Sequence, residues 1–144
     1  MAIFHLAAQI IGRALGRSVT AAAAYRLGTV IDDERTGKRF DYSRKSGVDG
    51  WQIFGPGSMP EHFRDPSYLW NAVEKIEKRH DAQLCREINI ALPCELSPQQ
   101  NAALVADWCQ NFTDAGMVAC VAFHHLHSHN PHAGGTGFNY RCRC

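Results

Sequence analysis

The pattern of apolar and polar positions sets out a mixed order of elements. Residues 2–10 open with apolar and aromatic groups in loose alternation and predict a first strand. Gly12 and Gly16, with Arg13 and Arg17 between and beside them, form a basic turn. Ser18 then stands where an N-cap belongs, four consecutive alanines follow, and Gly28 supplies a stop. Together these predict a helix over 19–27. Residues 29–31 and 38–42 flank a polar turn and predict a hairpin. Residues 46–59 hold four glycines and one proline around a WQIF run, which reads as a short strand inside a long surface loop. Asp65 and Pro66 are suited to N-cap and first helical position, and Leu69, Trp70, Val73 and Ile76 follow at helical spacing up to Arg79-His80. Residues 87–92 alternate with period two. Ile88, Ile90 and Leu92 fall on one face and Glu87, Asn89 and Ala91 on a polar one. Ser97 to Gln100 form a capping box opening a third helix with Leu104, Val105, Trp108 and Phe112 inward. Residues 117–123 are a last strand running into a histidine cluster. This order predicts an α+β or α/β sandwich, with strand direction left open.

Composition adds bounds. A length of 144 residues suits one domain, and 45% hydrophobic with 20% charged residues suits a soluble globular chain. The net charge of +1 does not by itself point to nucleic acid. Its distribution is more informative: residues 1–50 carry eight Lys/Arg against five Asp/Glu, making the N-terminal third the better face for a polyanion. No apolar run approaches the roughly 18 residues of a membrane span. The N-terminal apolar stretch has no basic segment before it and reads as a strand rather than a signal peptide. The six cysteines are scattered without a CxxC pair, so core thiols in a reducing cytoplasm are expected.

Three features carry candidate chemistry. Five of the eight histidines, His124, His125, His127, His129 and His132, lie within nine residues at the end of a strand, where imidazoles can converge on one ion. A solvated polar loop is the competing reading. Tyr25 stands on the alanine-rich helix above Ala21 and Ala22, a small-residue face that a nucleic-acid backbone can approach closely; taken alone, a packed aromatic is the stronger reading. Glu87 heads a strand on its polar face, where it can orient a histidine or pair with a neighbouring cation. Arg13 and Arg17 are placed for phosphates or for solvent. Trp51, Trp70 and Trp108 read as core or loop anchors.

In order along the chain come Ile3-Phe4-His5, Gly16-Arg17-Ser18, Ala22-Ala23-Ala24-Tyr25-Arg26, Asp33-Glu34-Arg35-Thr36-Gly37, Asp41-Tyr42, Leu69-Trp70-Asn71, Arg86-Glu87-Ile88, Ile90-Ala91-Leu92-Pro93 and Asn130-Pro131-His132-Ala133. This series resembles the N-terminal relaxase domain of MobA/MobL mobilisation proteins. The resemblance implies a five-stranded antiparallel sheet with flanking helices. It implies a strand-specific nick at a plasmid transfer origin, with Tyr25 as nucleophile and a 5′-phosphotyrosine intermediate. It implies Glu87 as a supporting catalytic residue, His124 and His132 as ligands of Mg²⁺ or Mn²⁺, and Arg13, Arg17 and Arg26 as DNA contacts. The implied partners are single-stranded DNA at a transfer origin and other relaxosome proteins.

After Ala133 the sequence departs from that pattern. Gly134 stands where a third metal histidine belongs, and a Gly/Cys/Arg-rich stretch runs to Cys144. Residues 1–133 therefore read as an incomplete relaxase domain and 134–144 as an aberrant tail, from a frameshift or premature end. The final sheet strand is expected to be missing or disrupted, and nicking weak, with His127 and His129 as substitute ligands. Two other readings stay open. One is an inactive fragment that keeps DNA binding, and the other a small His-rich metal-binding module.

Overall fold

The computed structural model describes residues 5–125 with their side chains and residues 136–142 as backbone. The strands are β1 (Leu6–Gly12), β2 (Val30–Asp33), β3 (Lys38–Asp41), β4 (Val48–Phe54), β5 (Gln83–Ala91), β6 (Val118–His124) and β7 (Thr136–Cys142). The helices are α1 (Val19–Leu27), α2 (Pro66–Ile76) and α3 (Pro98–Thr113). Five strands make one antiparallel sheet in the order β1-β5-β7-β6-β4, and β2 and β3 form a separate hairpin. The α+β class with a five-stranded antiparallel sheet agrees with expectation.

The sheet is covered on both faces. Alternate residues of β6 divide between two cores. Val118, Cys120 and Ala122 pack with Val19, Ala23, Ala24 and Leu27 of α1 and Leu69, Trp70 and Val73 of α2. Ala119 and Val121 pack with Val105 and Cys109 of α3. The inward stripe of α3 runs through Val105, Cys109 and Thr113, so Leu104 lies outside it and is exposed, contrary to its expected inward position. Trp70 is fully buried and Trp108 is half-buried, edge-on to Phe112.

Local signals act as the sequence indicates. Ser18 Oγ accepts from the Ala21 amide, and Gly28 closes α1 in the left-handed region at φ 62°. The capping box of α3 is present in both directions. Tertiary contacts moved the boundaries of α2 and β4. α2 stops at Ile76, short of Arg79-His80, where Glu77 turns to extended backbone and the Arg13 guanidinium takes the carbonyls of Glu77 (2.5 Å) and Arg79 (2.9 Å). β4 extends to seven residues and joins the main sheet, because its backbone pairs with β6 from Val48 to Phe54 across one irregularity at Asp49.

The largest correction concerns the last strand. It is not missing: β7 pairs with β5 on one side and β6 on the other and occupies the centre of the sheet. Ladder hydrogen bonds come from the backbone and tolerate unusual side-chain identity. Thr136, Phe138 and Tyr140 also keep a β-favouring residue at every second position.

Two buried carboxylates tie α1 to its surroundings. Asp33 accepts from Thr20 Oγ1 (2.6 Å), Ser18 Oγ (3.0 Å) and the Thr36 amide (2.9 Å). Burial raises its carboxyl, but these donors outweigh it and hold the group below the usual range. Glu74 accepts from Arg13 (2.7 Å), Arg35 (3.0 Å) and the Val19 amide (3.2 Å). Glu74→Ala is expected to cost about 3 kcal/mol, because it strands the Arg13 charge in a largely closed site. Arg39→Ala, which breaks an ion pair whose side chains are 64% and 65% exposed, is expected to cost less than about 1 kcal/mol. Urea unfolding of the two variants measures the contrast.

Candidate active site

Tyr25 sits in the last turn of α1, 44% exposed. Successive helical residues point about 100° apart, so Tyr25 faces outward while Arg26 turns toward the sheet. The Arg26 guanidinium reaches Glu87 on β5, with Nη2 2.5 Å from Oε1. Gln9 Nε2 on β1 donates to the other carboxylate oxygen at 3.1 Å. Glu87 is 2% exposed. Its face of β5 reads as the polar one in the sequence. It is instead the face that α1 covers, because Glu87 shares a ladder row with Cys120 of the α1-side core.

His124 ends β6 on that same face and is half-buried. Burial, then the Lys45 and Arg26 charges, press its pKa down to about 4. A hydrogen bond to the Arg26 backbone and the nearby Asp49 oppose this less strongly. The imidazole is therefore neutral at ordinary pH, the form that ligates metals. Arg26 thus joins the two residues: its side chain holds Glu87 and its backbone meets His124. Neighbouring His125 contacts Asp49 at 2.5 Å and donates its backbone amide to the Gly47 carbonyl at 3.0 Å. His124 and His125 also line a cleft of about 370 Å³ with Phe123, Leu92, Pro93 and Asp49.

Tyr25, Arg26, Glu87 and His124 are thus brought together. Arg17 is exposed at the rim of this group, 3.4 Å from Gln9 Oε1. Arg13 is not part of it. Its guanidinium is committed to Glu74 and to the carbonyls after α2, so the expected phosphate contact gives way to a structural one. His127, His129 and His132 lie outside the described residues. Among the described residues no three His, Cys, Asp or Glu side chains group as a metal site. His124, neutral and half-buried, has the chemistry of a metal ligand.

Sequence reading missed two residues. Lys45 lies over the Tyr25 ring, its Nζ 3.6 Å from the centroid. Nothing in its loop sequence singles it out. Trp51 is no core anchor: it is 41% exposed on edge strand β4, opposite Ala122 and so on the His124 face. An apolar residue in a glycine-rich stretch gave no sign of its exposure.

The family model for MobA/MobL matches residues 17–134. The chain belongs to the MobA/MobL family. It is 47% identical over 125 residues to mobilization protein MobL of Acidithiobacillus ferridurans, covering 86% of this chain and 32% of that protein. It is 42% identical over 143 residues to conjugal transfer protein TraA of Rhizobium radiobacter, covering 92% of this chain and 13% of that one. This MobA/MobL chain thus spans less than a third of the length of these relatives. A solved chain from "Molecular Basis of Vancomycin Resistance Transfer in Staphylococcus aureus" superposes with a TM-score of 0.88 at 28% identity, covering 98% of this chain and 70% of that one. Among the described residues no helix is long and apolar enough to cross a membrane.

The electrostatics of His124 give a pH signature in the metal-free protein. Its folded pKa of about 4 lies below the ordinary 6.5. As pH falls from 6.5 toward 4, the unfolded state takes up a proton that the folded state refuses, so this site lowers stability across that window. NMR titration of the imidazole is expected to show a midpoint near 4 in the wild type and an upward move in Arg26→Ala.

Proposed function

We propose that this MobA/MobL domain is a relaxase that nicks one DNA strand at a transfer origin. Tyr25 Oη attacks the scissile phosphorus and the bond to the 3′ oxygen breaks. The product is a 5′-phosphotyrosine, with the released 3′ oxygen taking up a proton. The observation that carries this reading is the setting of Tyr25. It is an exposed tyrosine on a capped helix, beside Lys45 and Arg26, the two cations that also act on the neutral His124. A nucleophile on a rigid element, close to fixed positive charge, is what phosphoryl transfer to tyrosine requires. Glu87 holds Arg26 in place and so acts on the site through it.

In this reading His124 and His132 are the ligands of Mg²⁺ or Mn²⁺, which supplies Lewis-acid stabilisation of charge on a non-bridging phosphate oxygen when bound. Single-stranded DNA lies across the sheet on its α1 side, with Arg17 toward the backbone and Trp51 as a stacking surface. Other relaxosome proteins are the further partners, and the cytoplasm is the compartment.

The test uses 3′-labelled single-stranded oligonucleotides tiling the DNA around the gene, with Mn²⁺. A covalent protein–DNA adduct resistant to denaturant is expected, and Tyr25→Phe is expected to abolish it. Cleavage that survives Tyr25→Phe would overturn the nucleophile assignment. DNA binding without any adduct would favour the binding-only fragment, which Gly134 in place of a histidine makes the main rival. Trp51→Ala is expected to weaken oligonucleotide binding about ten-fold, within the range of a lost base stack, as read by fluorescence anisotropy. Unchanged affinity would remove Trp51 from the DNA path.

A further inference from the structure

Lys45 has a more constrained place than a surface lysine needs. It lies in the turn after β3, where its amide donates to the Tyr42 carbonyl at 2.9 Å. Its Nζ donates to the Tyr25 carbonyl at 2.8 Å and stands 3.6 Å above the centre of the Tyr25 ring. Tyr42 meets the same ring edge-on, with centroids 5.2 Å apart and planes at 88°. The ring is thus held on a face by a cation and at an edge by a second aromatic, while 44% of the residue stays open to solvent. The ammonium is partly desolvated and has Arg26 as a like-charged neighbour, both of which lower its pKa. The cost of keeping an amine there against desolvation and repulsion is offset by two contacts with Tyr25, its carbonyl oxygen and its ring face.

We propose that Lys45 is a positioning residue for Tyr25, holding the phenol ring by its face and the helix end by its carbonyl so that the hydroxyl is presented outward. Its bearing on catalysis rests on the relaxase reading, but the geometry does not. A freely rotating tyrosine samples several rotamers. A ring held on two sides keeps one, which raises the fraction of molecules ready for attack. The same ammonium adds a fixed positive charge close to the proposed phosphate position.

Two measurements separate this proposal from the relaxase reading. The first is NMR of the metal-free protein without DNA. The Lys45 Hε protons are expected to be shifted upfield by the Tyr25 ring current, the shift to vanish in Tyr25→Leu, and the two Tyr25 Hβ protons to merge in Lys45→Met. Lys45 protons at their free-lysine position would overturn the proposal. The second is single-turnover adduct formation with the same oligonucleotides. Lys45→Met is expected to slow it on the order of two- to five-fold, the scale of one cation–π contact. The defect is expected to persist at saturating oligonucleotide, and Lys45→Arg to restore most of the rate. An equal rate in Lys45→Met and wild type would also overturn the proposal. Positive NMR results with no adduct from the wild type would leave the positioning role standing and sink the relaxase reading. If Lys45→Met melts early, the wild-type spectra and the Lys45→Arg rate still decide.

Discussion

The Arg26–Glu87 ion pair is the constraint on which the geometry of the site depends. It joins the last turn of α1 to β5 at 2.5 Å with the carboxylate almost fully buried. A pair of this kind adds little net stability, because the cost of removing two charges from water offsets much of their attraction. What it supplies is orientation. With Arg26 drawn to the sheet, the roll of α1 is set, and Tyr25 one residue earlier must face out. The same residue's backbone lies against His124, so tyrosine, carboxylate and imidazole share one reference point.

The segment from Tyr42 to Val48 acts as a strap across this arrangement. Its ends are anchored on the α1 side by the Tyr42 amide to the Thr29 carbonyl and on the β6 side by the Gly47 carbonyl to the His125 amide. Gly47 has a φ of 85°, and a Cβ there would lie 3.1 Å from the His125 carbonyl. Only glycine accepts both the conformation and the approach. Lys45 projects from the middle of the strap onto Tyr25. The helix end and the strand end are therefore kept in register by backbone contacts, and the charged groups between them repel protons from His124.

The position of β7 changes how the C-terminal departure is understood. Residues after Ala133 look foreign beside the family pattern, yet their backbone closes the gap between β5 and β6. A central position in an antiparallel sheet demands two sets of backbone hydrogen bonds and little of side-chain identity. The departure from the family pattern therefore lies in side chains, with glycine at position 134, and not in the sheet architecture.

The sequence by itself determined what depends on neighbours in the chain. The Ser18 cap, the alanine run and Gly28 delimited α1, and Ser97 to Gln100 opened α3, because caps act within a few residues. The ordered motifs around Tyr25, Glu87 and His132 pointed to the family. Only the tertiary structure decided what depends on distant partners. It turned Arg13 from a DNA contact into a brace on Glu74, buried Glu87 under α1, exposed Trp51 and Leu104, and set Lys45 over Tyr25. Periodicity shows which residues share a face, but not what covers that face, and charge and burial follow from the cover.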